Sequence, residues 1–305
     1  MYKSGFVGLI GQPNAGKSTL MNLLVDEKVS IVTAKPQTTR RRMMGIVSKD
    51  QGQIIYVDAP GVLRPGKGLN GFLAKEAMDV IQQSDVLMAV LAVDTKEKEQ
   101  LEDVIKMVEE SKKPWFAVIT KTDMTELYRR VETLKEILAQ HKNCFGVVEM
   151  TSSDARDLRE VRGNARKQIY DLSLQKLPET PKPLYDVELF TPHTTKELVA
   201  EIVREQCFEV LHHEIPYSIA VRISKFDESD AKMPKIYAEI LVSKESHKPI
   251  LIGKGGATIK EIGTLARKGV EKMLDQKVFL SLEVLVRENW FENTKLMEEL
   301  GYVVE

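Results

Sequence analysis

Long apolar runs and cysteines are scarce in this sequence, and each shortage excludes a class of protein. The longest unbroken apolar run, VLMAVLAV at 86–93, is far below the ~20 residues that a membrane-spanning helix needs, so it predicts a buried strand. Cys144 and Cys207 lie far apart, without the spacing of a metal site or a disulfide scaffold, which indicates two buried thiols. The formal net charge is only −1, so any nucleic-acid interface must come from a local basic surface.

The composition is typical of a globular protein with about two domains. The chain has 305 residues, of which 43% are hydrophobic and 29% charged, and domains usually contain ~100–200 residues. The opening stretch MYKSGFVGLIGQ lacks the charged segment, apolar segment and cleavage site of a secretory signal. We therefore expect a cytoplasmic protein.

Apolar blocks alternate with helical patterns through the first half of the chain. Strands are predicted near 5–10, 43–49, 53–58, 86–93, 115–120 and 146–150, and helices near 17–26, 71–83, 97–111, 125–140 and 156–173. Alternation of this kind predicts an α/β domain with a mostly parallel sheet covered on both faces. The turn signal KDQGQ at 49–53 indicates that the second and third strands form an antiparallel edge.

A proline-rich stretch separates this half from the rest. KLPETPKPLYD at 176–186 contains three prolines, which cannot continue a helix or lie in a central strand. We predict a first domain at 1–175, a linker at 176–190 and a second domain at 191–305. The second domain should contain a helix at 194–213, the strands YSIAVRIS and KIYAEILVS, a glycine-rich loop, a helix at 257–273 and the strand KVFLSLEVLVRE.

GQPNAGKS at 11–18 follows the first apolar strand and matches the pattern of a phosphate-binding loop. In such a loop backbone N–H groups surround phosphate oxygens, Lys17 reaches the β- and γ-phosphates, and the Ser18 hydroxyl binds Mg²⁺. The helix N-terminus behind the loop favours the anion. The predicted nucleotide contacts here are Gly11, Gln12, Pro13, Asn14, Ala15, Gly16, Lys17, Ser18 and Thr19.

Three later motifs end strands on the same side of the predicted sheet, where ligands bind. VDAPG at 57–61 places Asp58 where phosphate-loop enzymes hold Mg²⁺ with a second carboxylate. TKTD at 120–123 offers an Asp123 carboxylate for two hydrogen bonds from guanine and a Lys121 stem for the purine face. TSSDA at 151–155 offers a backbone N–H for a base carbonyl, and ordinary turn chemistry is the alternative for both loops. The predicted base contacts are Thr120, Lys121, Asp123, Thr151, Ser152 and Ser153.

The set GQPNAGKS, KPQTTR, DAPG and TKTD resembles the translation-factor-like GTPases, over nearly the whole chain. Two positions depart from the family pattern: Thr120 replaces the usual Asn, and Ser152 replaces the usual Ala. The resemblance implies GTP and GDP as nucleotides and Mg²⁺ held by Ser18, Thr39 and Asp58, with Thr39 favoured over Thr38. It also implies two switch segments, at 33–42 and 59–70.

The same resemblance implies how hydrolysis is carried out. Val62 follows DAPG where many small GTPases carry a glutamine that orients water, so another group must help. Asn14 could hold a potassium ion that offsets charge between the β- and γ-phosphates, or it could simply suit a left-handed loop backbone. The candidate catalytic residues are Asn14, Lys17, Thr39 and Gly61.

LIGKGG at 251–256 predicts the Gly-x-x-Gly loop of a type II KH domain, which clamps an RNA backbone. The order helix–strand–strand–helix–helix–strand around the loop supports this interpretation. Arg267 and Lys268 could extend a cationic surface, although charged helix faces are usually only solvated. Ile250, Leu251, Ile252 and Ile259 beside the loop could support bases or pack in a core. The predicted RNA contacts are Ile252, Gly253, Lys254, Gly255, Gly256 and Lys260.

Several other residues have ordinary explanations. His212 and His213 are expected to end a helix, where a cation suits the dipole, and Trp290 and Phe291 are expected in a core. The run Arg40–Arg42 borders the first switch and could contact phosphate or RNA, with exposed charge as the alternative.

The resemblance implies a monomeric GTPase that binds the 3′ region of 16S rRNA and acts in maturation of the 30S ribosomal subunit, with peripheral membrane association as an addition. Two alternatives stay open. One is an ATP-using phosphate-loop enzyme, which should lack TKTD, and the other is a membrane or cell-division switch without RNA, which would leave LIGKGG unexplained.

Overall fold

The structure is a computed structural model that describes residues 2–33, 35, 38–61, 68–153, 155–230, 232–300 and 302. It divides into two compact units. The first unit comprises 2–30, 39–61 and 73–192, and the second comprises 31–38, 65–72 and 193–305, as far as these residues are described.

The first unit is built on a sheet that, within the described residues, has seven strands. They are β1 (Tyr2–Gly11), β2 (Met43–Lys49), β3 (Gly52–Asp58), β4 (Val86–Ala92), β5 (Trp115–Thr120), β6 (Cys144–Met150) and the short β7 (Glu179–Thr180). The order is β2-β3-β1-β4-β5-β6, with β7 paired to β1. Neighbouring strands from β3 to β6 are parallel, and β2 joins β3 antiparallel with Met43 opposite Asp58. This confirms the fold class and the antiparallel edge.

The central strands are continuous apolar runs because both faces of the sheet are covered. Every residue of β3, β4 and β5 is buried. The covering helices are α1 (Lys17–Val25), α2 (Gly68–Gln83), α3 (Lys98–Glu110), α4 (Tyr128–Leu138) and α5 (Arg159–Lys176). Trp115 is fully buried in this core.

The proline-rich stretch is attached to the first unit. Helix α5 continues to Lys176, past the predicted end at 173, and β7 then pairs Thr180 with Tyr2. The buried Gln53 side chain accepts from the backbone N–H groups of Leu184 and Tyr185 and donates to the Tyr185 carbonyl. These bonds fix backbone that the prolines leave without a helix or a central strand to join.

The second unit has the predicted helix–strand–strand–helix–helix–strand order. Its elements are α6 (Thr195–Val210), β8 (Ile219–Asp227), β9 (Lys235–Val242), α7 (His247–Ile252), α8 (Ala257–Leu274), β10 (Phe279–Val286) and α9 (Thr294–Glu299). The sheet order is β10-β9-β8, with β9 parallel to β10 and antiparallel to β8. Helix α6 begins with a capping box in which the Thr194 hydroxyl and the Glu197 carboxylate each bond the other residue's backbone N–H.

Alternation along β9 directs its apolar residues to one face, where α6 and α8 cover them. Ile236, Ala238 and Ile240 are buried, as are Ile262 and Ala266 on α8. Trp290 is also fully buried, its indole N–H donating to the Ser218 carbonyl at 2.8 Å and its ring stacked on Tyr302. Among the described helices, none combines the length and hydrophobicity needed to span a membrane.

Candidate nucleotide site and RNA-binding loop

Backbone carbonyls of the phosphate loop hold the Lys17 side chain inside the loop. Lys17 begins α1 directly after the loop, and its ammonium donates to the Gly11 and Gln12 carbonyls at 2.9 Å each. Burial lowers the pKa of Lys17 to about 8, an effect that the Asp58 carboxylate opposes. A buried cation of this kind provides strong electrostatic attraction for phosphate oxygens.

The three predicted metal ligands converge. The Ser18 hydroxyl donates to Asp58 Oδ2 at 2.5 Å, the Thr39 hydroxyl lies 3.4 Å from the same oxygen, and the two hydroxyls are 3.0 Å apart. Asp58 Oδ1 is buried and has no hydrogen-bond partner among the described residues. Burial raises the pKa of Asp58, although the Lys17 charge opposes this shift. A carboxylate with an unused oxygen beside two hydroxyls is a donor set that suits Mg²⁺.

Backbone geometry shapes the two segments on either side of the phosphates. Asn14 adopts a left-handed backbone with φ 63°, which asparagine tolerates. Gly61 is buried, and a Cβ there would lie 2.7 Å from the Pro13 nitrogen. Only glycine fits this close approach between the DAPG segment and the phosphate loop.

Each key residue of TKTD has a partner from another segment. The Thr120 hydroxyl donates to the Ala15 carbonyl at 2.7 Å, so the threonine in place of asparagine ties the base loop to the phosphate loop. The Thr151 hydroxyl donates to Asp123 Oδ1 at 2.7 Å, and the Ser153 N–H donates to the Thr151 hydroxyl. These bonds orient the Asp123 carboxylate and bring the TKTD and TSSDA loops together.

The glycine loop of the second unit joins α7 to α8 and is open to solvent. Gly253, Gly255 and Gly256 have φ of 76°, 59° and 81°. A Cβ on Gly253 would lie 2.7 Å from the Thr258 nitrogen, whereas a Cβ on Gly255 or Gly256 would meet nothing within 4 Å. Lys254 and Lys260 are exposed, so the loop presents bare backbone next to positive charge, as a phosphate-binding loop requires.

The comparisons with known proteins agree with both units. Residues 6–121 match the family described as 50S ribosome-binding GTPase, and residues 214–291 match the KH domain family. GTPase Era of Clostridium kluyveri is 36% identical over 302 residues, covering 99% of this chain and all of the relative. GTPase Era of Syntrophus aciditrophicus is 37% identical over 303 residues, covering 99% and 96%.

The chain belongs to the Era GTPases. A crystal structure of Era in complex with MgGDPNP and nucleotides 1506–1542 of 16S ribosomal RNA matches it with a TM-score of 0.90 at 32% identity, covering both chains fully. An Aquifex aeolicus Era variant bound to GDP·AlF4⁻ matches with a TM-score of 0.88 at 32% identity, covering 99% of this chain and all of that one. The family membership shows that this protein is a GTPase, and it does not favour the ATP-using and RNA-free alternatives.

The structure corrects several expectations for this Era GTPase. Arg40 is buried rather than exposed, and Arg42 pairs with Glu76 and Gln83. Cys207 is buried but Cys144 is only half-buried. His212 and His213 follow α6, which ends at Val210, because the chain turns extended at Leu211.

Other predicted positions divide between core and surface, and some lie outside the described residues. Leu251 packs in the core, Ile252 and Ile259 pack partly against it, and Ile250 is exposed. Trp290 is core, as expected, with Phe291 against its edge. Val62 and the stretch 63–67 of the second switch lie outside the described residues, as do 34, 36 and 37 of the first.

Sequence reasoning missed Asp94, Gln53 and Glu205. Asp94 pairs with Lys121, Gln53 holds the proline-rich stretch, and Glu205 on α6 accepts from the Val32 N–H at 2.9 Å. No motif marks them, because each acts on a residue distant in sequence.

Proposed function

We propose that this GTPase couples its nucleotide state to binding of the 3′ region of 16S rRNA during assembly and maturation of the 30S ribosomal subunit, as a monomer in the cytoplasm. The observation that carries the proposal is the full-length match to the Era complex with MgGDPNP and nucleotides 1506–1542 of 16S ribosomal RNA. The open Gly253–Gly256 loop supports it from this chain's own geometry. Peripheral membrane association has no support in the comparisons and is not part of the proposal.

The proposal assigns roles to the residues at the nucleotide site. Backbone N–H groups of 14–19 surround the phosphates, and Lys17 exchanges its carbonyl partners for phosphate oxygens. Ser18, Thr39 and Asp58 would hold Mg²⁺, which neutralises charge on the β- and γ-phosphate oxygens when bound. Asp123 recognises guanine, and Thr120 and Thr151 fix the loops that carry the base contacts.

Hydrolysis depends on placing charge and water at the terminal phosphate. Thr39 reaches the metal-ligand cluster, and Gly61 brings its backbone against the phosphate loop. Asn14 is assigned to a potassium ion beside the phosphates. A fixed monovalent cation there stabilises the charge that develops in the transition state.

The proposed coupling is tested by measuring RNA retention on a filter for the unmodified protein and for a variant, Asp123→Asn, whose nucleotide preference is changed. The probe is an RNA of 16S nucleotides 1506–1542, with GDPNP, GDP or no nucleotide. In Asp123→Asn an acceptor facing guanine becomes a donor, so GTP affinity should fall by about tenfold or more, since charged hydrogen bonds contribute ~1.5–3 kcal/mol. The variant should instead bind the nucleotide that carries xanthine in place of guanine, called the xanthine analogue of GDPNP below.

Retention by the unmodified protein should be strongest with GDPNP, and in the variant the xanthine analogue should replace GDPNP as the effective nucleotide. RNA retention that is the same with every nucleotide in both proteins would contradict the coupling. Unchanged GTP affinity in Asp123→Asn would contradict the base assignment instead.

A further inference from the structure

Lys121 is held by a carboxylate that lies outside every motif of the sequence. Its ammonium contacts both oxygens of Asp94, at 2.9 and 2.7 Å. The Lys121 backbone is left-handed, with φ 62°, a conformation that non-glycine residues adopt only where their surroundings impose it. The side chain that should lie along the purine is therefore fixed at its backbone and at its tip.

Asp94 is itself rigidly placed. It follows β4, whose last residue Ala92 pairs with Thr120, and the Val93 N–H donates to the Thr120 carbonyl at 3.2 Å. The Arg130 guanidinium donates to the carbonyls on either side, those of Val93 and Thr95, at 3.5 and 3.4 Å. The turn that carries Asp94 is thus tied to the base-recognition loop and to α4.

We propose that Asp94 is a positioning residue for guanine-nucleotide binding, which acts by ordering the Lys121 side chain before the nucleotide arrives. The inference rests on the assignment of residues 120–123 to the base site. The two side chains are 32% and 35% exposed, and an ion pair this open to solvent adds little to folding stability. Its effect is on binding, because a lysine that is already ordered loses less side-chain entropy when the purine is bound.

Electrostatics alone predicts the opposite change in nucleotide affinity when Asp94 is removed. Asp94 is a negative charge near a site for a polyanion, so its removal would strengthen nucleotide binding if charge were its only contribution. If Asp94 orders Lys121, its removal weakens binding. The direction of the change therefore separates the two explanations.

The effect should also be independent of the base edge. A lysine stem covers the purine face, whereas the Asp123 carboxylate recognises the edge. Loss of Asp94 should therefore weaken the binding of GDP and of inosine diphosphate (IDP) by the same factor.

The test measures GDP and IDP affinity and GDP dissociation for Asp94→Ala in the full chain with Mg²⁺. Ordering one lysine is expected to change affinity by about 3- to 10-fold, so Asp94→Ala should bind both nucleotides that much more weakly and release GDP faster. Asp103→Ala is the matched control, because Asp103 is an exposed carboxylate on α3 and its loss changes net charge equally. The control should not weaken either nucleotide.

A double-mutant cycle decides whether Asp94 acts through Lys121. Lys121→Met keeps the aliphatic stem and removes the ammonium, so Asp94→Ala should have no further effect in that background. Unchanged or tighter binding in Asp94→Ala, or the same loss in the Lys121→Met background, would overturn the inference. RNA retention is not part of this test, so failure of the proposed RNA coupling leaves the result interpretable.

Discussion

At the scale of single residues, Asn14 has two possible roles, one of its backbone and one of its side chain, and a substitution can separate them. Its left-handed backbone, with φ 63°, suits the loop, whereas its amide is the candidate ligand for potassium. Asn14→Gly keeps the backbone conformation and removes only the amide. Alanine would confuse the two, because it also strains the backbone.

We expect GTP hydrolysis by the unmodified protein to be about tenfold or more faster in potassium chloride than in sodium chloride at equal ionic strength, since fixed transition-state charge has large effects on rate. Asn14→Gly should hydrolyse at the slower rate in both salts. The measurement is phosphate release under single turnover. Equal rates in both salts for the unmodified protein would exclude a role for potassium and leave the GTPase assignment intact.

Residues within one motif were predictable from the sequence, and their partners were not. Ser18 and Asp58 meet as the motif order predicts, because parallel strands end on one side of a sheet, whereas the place of Thr39 beside them was implied only by the family resemblance. The Asp94–Lys121 pair joins the ends of two neighbouring strands. Nothing in the local pattern distinguishes Asp94 from a solvated turn aspartate, so only the strand order reveals it.

At the scale of elements, the Gly253–Gly256 turn is the feature with the clearest consequence. The φ of Gly255 is 59°, a left-handed value that aspartate tolerates, and space beside it is open. Lys254→Asp with Gly255→Asp therefore changes charge and access without forcing the loop to refold.

RNA affinity of this double variant should fall by about 100-fold or more, because each like-charge contact with a phosphate costs about 4 kcal/mol at 4 Å in an effective dielectric of ~20. Intrinsic GTP binding and the melting temperature should hardly change. Thr294→Asp with Lys295→Asp makes the same charge change on exposed residues of α9 and should retain RNA. Filter retention of both variants gives the comparison, and full RNA affinity in the loop variant would disprove the KH assignment of 253–256.

The elements themselves were largely predictable, since buried strands are continuous apolar runs and helices show their own period. The proline-rich stretch was the exception. Prolines correctly predicted the absence of a long helix, but the pairing of β7 with β1 and the buried side chain of Gln53 fix this backbone to the first unit. A glutamine in an apolar strand gives no sign of a partner more than a hundred residues away, and the domain limits at 175 and 190 stay a prediction.

At the scale of the whole molecule, part of the first switch segment belongs to the second compact unit. The described residues of 31–38 group with those of 193–305. The Lys35 ammonium donates to the Phe208 carbonyl and, at 2.5 Å, to the Leu211 carbonyl, while Glu205 accepts from the Val32 N–H. Lys35 is only four residues from Thr39, which limits their separation to ~14 Å.

We expect Lys35→Met with Glu205→Ala to reduce the difference in RNA affinity between the GDPNP and GDP states by about fivefold or more, a typical size for coupling between two sites. The reason is that, without these contacts, a change in the position of the first switch segment would no longer be transmitted to α6. GTP binding itself should persist. RNA titrations in the two nucleotide states provide the measurement.

Lys196→Met with Glu209→Ala removes the same residue types from exposed positions of α6 and should preserve the coupling. If both double variants respond to nucleotide like the unmodified protein, the contacts of Val32 and Lys35 with Glu205, Phe208 and Leu211 do not transmit the state of the nucleotide site.

The two tryptophans give each compact unit its own optical signal. Trp115 lies in the first core and Trp290 in the second, both fully buried, and the Trp290 indole bonds a carbonyl while the Trp115 nitrogen has no partner among the described residues. Replacing either one with phenylalanine leaves a single tryptophan, in one unit, whose emission can be excited selectively over that of the tyrosines. Fluorescence can then follow the unfolding of each unit separately in the intact chain, without an added label.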